Sequence, residues 1–135
     1  MNDKSMTLFC KHYDKVLKKE VYRRIYFYNI DWQEDIGIKY LKYTKSSMNT
    51  DSDILIFVPY PSDLKYVKPK EYDRLENKEG YYTFKTHDKI VKGIIDFEIT
   101  DSSKIKELEL NFDDVVDILR YEDCDMLGHF ELECA

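Results

Sequence analysis

Three histidines, His12, His87 and His129, and three cysteines, Cys10, Cys124 and Cys134, are the residues of this 135-residue chain best suited to metal binding or nucleophilic chemistry. Their spacing favours neither. No two histidines stand in the His-x-x-x-His relation that puts two rings on one helix face, and no Cys-x-x-Cys pair offers two thiolates to one ion. A metal or any other cofactor is therefore not expected. His87, in Thr86-His87-Asp88, reads as a solvated turn residue, and His129 as a strand-end or interface residue. The cysteines are odd in number and far apart, which fits neither a disulfide framework nor a zinc site. Cys10 and Cys134 fall in alternating apolar stretches and read as small hydrophobes on strands.

Other catalytic constellations are equally absent from the sequence. The serines lie in polar stretches or at a helix cap, without a Gly-x-Ser-x-Gly elbow. Carboxylates such as Glu34 with Asp35, or Asp113 with Asp114, are neighbours in sequence, whereas acid/base chemistry needs two carboxyls facing one cleft. With 4 glycines, at 37, 80, 93 and 128, no phosphate-cradling loop can form. Lys18, Lys19, Arg23 and Arg24 beside Tyr22, Tyr26 and Tyr28 do set charge next to stacking rings, a pattern suited to single-stranded nucleic acid. The net charge of −6 opposes it. An enzyme is not expected.

The elements that must position these residues are mostly strands. The chain is 43% hydrophobic and 15% aromatic, with 12 tyrosines, 7 phenylalanines and 1 tryptophan, enough for a compact core despite 36% charged residues. No apolar run approaches a membrane span, and no hydrophobic segment of signal-peptide length follows Met1-Asn2-Asp3-Lys4-Ser5. The expectation is one soluble domain over residues 1–135, made in a cytoplasm and kept there or assembled from it.

Val21-Tyr22-Arg23-Arg24-Ile25-Tyr26-Phe27-Tyr28 alternates as a strand, and Thr7 to Lys11 makes a shorter one before it, joined by a turn between Lys11 and Lys19. Ile36 to Tyr43 reads as a third strand, weakened by Gly37, and Lys45 to Asp53 as a mobile polar loop. Ile54-Leu55-Ile56-Phe57-Val58 has the continuous apolar character of a strand buried on both faces, stopped by Pro59-Tyr60-Pro61. Lys68 to Leu75 predicts a short helix with Pro69 in its first turn. Tyr81 to Lys85 predicts a strand, Thr86-His87-Asp88 a tight turn, and Lys89 to Ile99 a long strand bent at Gly93. Thr100 to Ser103 offer caps for a second short helix beginning at Lys104. Asp114 to Arg120 and Gly128 to Cys134 close the chain as two strands around an acidic turn. Phe130, Leu132 and Cys134 share one face of the last strand, and Glu131 and Glu133 the wet one. Strands this numerous and short imply an antiparallel sheet that closes on itself, a small β-barrel, SH3-like or related, with one or two short helices.

Charge is segregated. Residues 1–45 sum to +4, residues 46–106 to −1 and residues 107–135 to −9, so the basic start could complement the acidic end of a neighbouring copy.

His87-Asp88-Lys89-Ile90-Val91-Lys92-Gly93, followed by Ile94-Ile95-Asp96-Phe97-Glu98-Ile99-Thr100, resembles a family of small proteins encoded in the head-to-tail gene region of phages and prophages of Gram-positive bacteria. In the same order, Asn29-Ile30-Asp31-Trp32-Gln33, Phe57-Val58-Pro59-Tyr60, Pro69-Lys70-Glu71-Tyr72, Asp113-Asp114-Val115-Val116 and His129-Phe130-Glu131-Leu132 are similar to that family's other segments. One departure stands out: the family's turn is commonly Gly-Asp where this chain has His87-Asp88. The resemblance implies a minor capsid, head-closure or neck protein of the virion, a β-barrel that forms a ring beneath the portal. It also implies contacts with copies of itself and with portal, adaptor and tail proteins. DNA would pass nearby without sequence-specific binding, and no membrane would be involved. Trp32, Tyr40, Tyr43, Tyr60 and His129 are the expected interface residues. The alternatives are a tail-completion or tail-terminator component, and a small acidic regulatory binding protein.

Overall fold

A computed structural model of the chain describes residues 4–34, 54–100 and 104–135. Eight strands and two short helices lie within them: β1 (Lys4–Asp14), β2 (Lys19–Glu34), β3 (Ile54–Pro59), β4 (Lys65–Tyr66), α1 (Pro69–Arg74), β5 (Tyr81–Tyr82), β6 (Lys89–Lys92), α2 (Glu107–Asn111), β7 (Val115–Cys124) and β8 (His129–Cys134). Six strands close a barrel in the order β1-β2-β3-β8-β7-β6, every pair antiparallel. The expected mainly β fold with a small closed barrel is thus the observed one. Closure removes the free edges that an open sheet of alternating apolar residues would expose. No helix among the described residues is long and apolar enough to cross a membrane.

Alternation along β2 changes phase once. Ile25 and Phe27 point inward, yet so do Ile30 and Trp32. The cause is a bulge: Ser5 pairs with Tyr28 and Lys4 with Ile30, so Asn29 is left over, in the left-handed region at φ 59°. Asn tolerates that conformation better than other side chains, so β2 continues to Glu34 rather than ending at Asn29. A second bulge on β7 pairs Ile118 with Cys134 but Arg120 with Glu133, leaving Leu119 over. Val116 and Ile118 face inward before it, and Tyr121 after it, which turns Glu122 and Cys124 outward.

Because neighbouring strands alternate in direction, one end of the barrel collects the β1–β2 turn, the end of β3, the start of β6 and the β7–β8 turn. Residues 60–88 link β3 to β6 over that end. They carry α1 and a small parallel pair, β4 with β5, and supply Tyr72, Tyr82 and Phe84, all at most 1% exposed. Phe27 meets Tyr82 edge-on at 5.2 Å, and Phe84 meets Phe130 at 5.1 Å, geometries that suit the quadrupole of aromatic rings. Pro69 opens α1 as expected. Only Tyr81 and Tyr82 of the predicted 81–85 strand pair with another strand.

The predicted strand from Lys89 to Ile99 stops at Lys92, since Gly93, at φ 94°, redirects the chain instead of bending the strand. Residues 94–99 then run across the outside of β1. Thr7 Oγ1 donates to the Gly93 carbonyl at 2.8 Å and accepts the Ile95 N–H at 3.1 Å, and the Tyr26 hydroxyl donates to the Ile95 carbonyl at 2.8 Å. Under this strap lies a second apolar layer in which Phe9, Val91 and Leu108 are buried against Ile95, Phe97, Ile105 and Phe112. Strand β1 is consequently buried on both faces from Met6 to Cys10. Helix α2 starts at Glu107, later than expected, with Lys106 at its N-cap and no side-chain cap; of the expected capping residues, 101–103 lie outside the described residues. So do the third strand expected over 36–43 and the loop expected over 45–53.

His87 occupies the third position of the Lys85–Asp88 turn into β6, closed by the Asp88 N–H on the Lys85 carbonyl at 3.2 Å, and has φ 76°. Glycine adopts this conformation without a steric penalty, whereas histidine pays one. The His87 N–H donates to the Ile118 carbonyl at 2.7 Å, so the turn holds its shape through a bond to β7.

Candidate functional site

Two of the expected interface residues converge on the covered end of the barrel. Tyr60 follows Pro59, its N–H donates to the Gly128 carbonyl at 3.1 Å, and its ring meets Phe130 at 5.6 Å. Its hydroxyl donates to the Asp123 carboxylate, a bond that pushes the Tyr60 phenol up to about 12. At 41% exposed, the ring remains open to another chain. His129 sits at the start of β8 with Phe57 edge-on at 5.4 Å. Trp32, by contrast, is 5% exposed within the main core. Its Nε1–H donates to Glu34 Oε1 at 2.7 Å, and Lys92 Nζ lies 5.4 Å from the ring centre, so its contacts are made within its own chain. Tyr40 and Tyr43 lie outside the described residues.

His129 does not stand alone. It is the direct cross-strand partner of Cys124, and Glu131 lies two residues on, opposite Glu122; residues in such positions share one sheet face. The Leu119 bulge sets Cys124 on that outer face. His129 Nε2 is 3.3 Å from Glu131 Oε2, and Cys124 Sγ donates to the same oxygen at 3.3 Å. The sequence holds this as Cys-x4-His-x-Glu, a spacing that no helical or Cys-x-x-Cys rule detects. A hairpin turn over 125–128 was the available signal, because it places 124 opposite 129.

A second polar cluster closes the same end beneath α1. Cys10 points inward, and burial pushes its thiol up to about 12, with the Asp88 carboxylate adding to the effect. Asp88 accepts the Lys11 N–H at 3.3 Å through Oδ1, while its Oδ2 is buried without a conventional hydrogen-bond partner. Desolvation pushes this carboxyl up to about 6, although the Lys11 amide and the Lys85 ammonium act in the opposite direction. Lys85 Nζ donates to the Lys11 carbonyl at 2.7 Å and to the Asp73 carboxylate. Arg23 Nη1 bridges the Tyr72 hydroxyl at 3.2 Å and the Tyr81 carbonyl at 3.0 Å. These bonds tie the linking segment to the barrel. A protonated thiol is a poor nucleophile, so Cys10 is held in an unreactive form.

Beside it lies an open groove of about 810 Å³ between the β1–β2 turn and residues 73–79. Arg74 and Lys78 line it together with Asp73, Glu76 and Glu79, all from the same wall. His12 is held below its ordinary range by burial and by Lys78, which leaves its ring neutral at pH 7.

Apolar side chains cap both turns at this end. Val16 is 89% exposed and Met126 96%, with Tyr13, Leu17 and Leu127 also exposed. No curated protein and no solved structure matches the chain. The sequence matches, over residues 1–135, the model of a family of unknown function, DUF6751, and the chain belongs to that family.

Proposed function

We propose that the protein is a structural component of the phage head-to-tail joint, a head-closure or neck ring subunit that works by assembly and not by catalysis. The observation that carries this reading is the placement of charge around the barrel. In the order β1-β2-β3-β8-β7-β6, the β1–β2 and β7–β8 hairpins stand diametrically opposite. Residues 4–34 sum to +3 and residues 115–134 to −5. A closed ring of identical subunits needs two different, complementary surfaces on opposite sides of each copy. The apolar tips of the same two hairpins, Val16 with Leu17 and Met126 with Leu127, supply side chains whose burial would strengthen such a contact. The similarity of the Asn29, Phe57, Pro69, His87, Asp113 and His129 segments to phage head-to-tail proteins supports the same reading.

In this role copies contact one another and the portal or adaptor on one side and tail proteins on the other, in the neck of the virion. DNA passes nearby without sequence-specific contacts. The test is a phage that lacks the protein: heads and tails should accumulate unjoined, and joining should return when the protein is supplied in trans. Particles that join normally without it would refute the proposal.

A further inference from the structure

We propose that Cys124 Sγ, His129 Nε2 and Glu131 Oε2 form a binding site for a zinc-class divalent ion on the outer face of the β7–β8 hairpin, with water completing a tetrahedron. This goes beyond the assembly role and does not depend on it.

Geometry carries the inference. The three donor atoms all lie within 4.8 Å of one another, and two of their separations are 3.3 Å. In a tetrahedral zinc site with Zn–N and Zn–O near 2.0 Å and Zn–S near 2.3 Å, donors stand about 3.3–3.5 Å apart. The side chains are therefore already near the edges of such a polyhedron, and little movement is needed to admit the ion. The backbone that carries them is fixed. Cys124 and His129 are paired across the strands, the Leu127 N–H donates to the Cys124 carbonyl at 2.9 Å, and the Gly128 N–H donates to the Asp125 carbonyl at 3.2 Å.

Surroundings favour a cation. His129 and Glu131 are about one-fifth exposed at their side chains, so the site is partly shielded yet open to water for a further ligand. Phe57 walls one side against His129, and the strands around it carry −5 over residues 115–134. One sulfur, one imidazole nitrogen and one carboxylate oxygen suit zinc rather than magnesium or calcium, which take oxygen donors. On binding, the Cys124 thiol gives its proton to solvent and the thiolate sulfur bonds the ion; neutral His129 takes the tautomer with its proton on Nδ1, so that the Nε2 lone pair bonds the metal, and Glu131 exchanges its contacts with Cys124 and His129 for a bond to the ion.

Cobalt(II) reports this directly, because a thiolate ligand gives a sulfur-to-cobalt charge-transfer band and four-coordination gives intense visible bands. The full chain, stripped of metal by a chelator, should bind one Co²⁺ with both signatures, and Zn²⁺ should displace it. Cys124→Ser should abolish the charge-transfer band. His129→Ala and Glu131→Gln should weaken Co²⁺ binding by about tenfold or more, with circular dichroism unchanged. Cys10 and Cys134 are fully buried, so they cannot supply the band. Absence of stoichiometric Co²⁺ binding by the wild-type chain, or a charge-transfer band that survives Cys124→Ser, would overturn the proposal.

Discussion

The two hairpins on opposite sides of the barrel are built from the same antiparallel pairing and are used differently. In the first hairpin β1 is covered twice from Met6 to Cys10, inside by the barrel core and outside by the strap over residues 94–99 and by α2, while β2 is partly open outward, with Tyr28 exposed. β7–β8 is covered once: Phe130, Leu132 and Cys134 are buried inward, while His129, Glu131 and Glu133 remain partly exposed outward. A strand with two apolar faces can only support; a strand with one leaves a face for ligands and partners. Stability is thus concentrated in β1, and the first hairpin offers a partner mainly its exposed tip, whereas the second leaves a whole strand face open.

The largest effect should come from the outer layer of the covered hairpin. Phe9→Ala removes a fully buried ring from beneath the strap and should cost about 3–5 kcal/mol in denaturant unfolding. Glu122→Ala, outward on the open hairpin, should change stability by no more than about 0.5 kcal/mol. Equal losses at the two positions would erase the distinction between the hairpins.

Next comes Asp88, whose carboxyl accepts the Lys11 N–H of the covered hairpin. Burial pushes it up to about 6, above the 3.8 of an ordinary aspartate, so the folded state holds the proton more tightly than the unfolded chain. Protonation of Asp88 in this window therefore favours folding: its own contribution to stability rises as pH falls from about 6 toward 4, and at neutral pH its buried charge costs about 3 kcal/mol at most. Asp88→Asn should raise the unfolding midpoint at pH 7, and its advantage over the wild type should shrink on acidification to pH 4. A pH-independent difference would show that the carboxyl is not desolvated.

The smallest effect concerns the turn that joins β6 to the open hairpin through the His87 N–H. His87→Gly should raise stability by about 0.5–1 kcal/mol, the relief of the left-handed backbone offset by the entropy of glycine. A loss in thermal unfolding would mean that the imidazole makes a contact worth more than that relief.

Much of the fold is legible in the sequence because the barrel core follows a period of two: Ile25 with Phe27, Ile56 with Val58, and Phe130 with Leu132 and Cys134 all fall on the buried face. What the alternation hides are its phase changes. Asn29 and Leu119 are single extra residues, and a bulge has no residue signature as firm as a helix cap. The strap is hidden for another reason: Ile94 to Ile99 has the apolar content of a strand, but Gly93 turns it out of the sheet, and the outer core it covers is a tertiary effect. The Cys124, His129 and Glu131 cluster depends on the second of those bulges, so spacing rules tuned to helices and knuckles pass over it. Of the residues expected at interfaces, Tyr60 and His129 reach the open surface at one barrel end, whereas Trp32 fills the core because the Asn29 bulge turns it inward.

In the proposed ring the two dissimilar hairpins meet between neighbouring copies. A density map of intact phage particles tests it most directly. The map should show a closed ring at the head-to-tail joint in which the basic β1–β2 hairpin of each copy packs against the acidic β7–β8 hairpin of the next. A particle whose neck lacks the protein, or a ring joined through like hairpins, would contradict it.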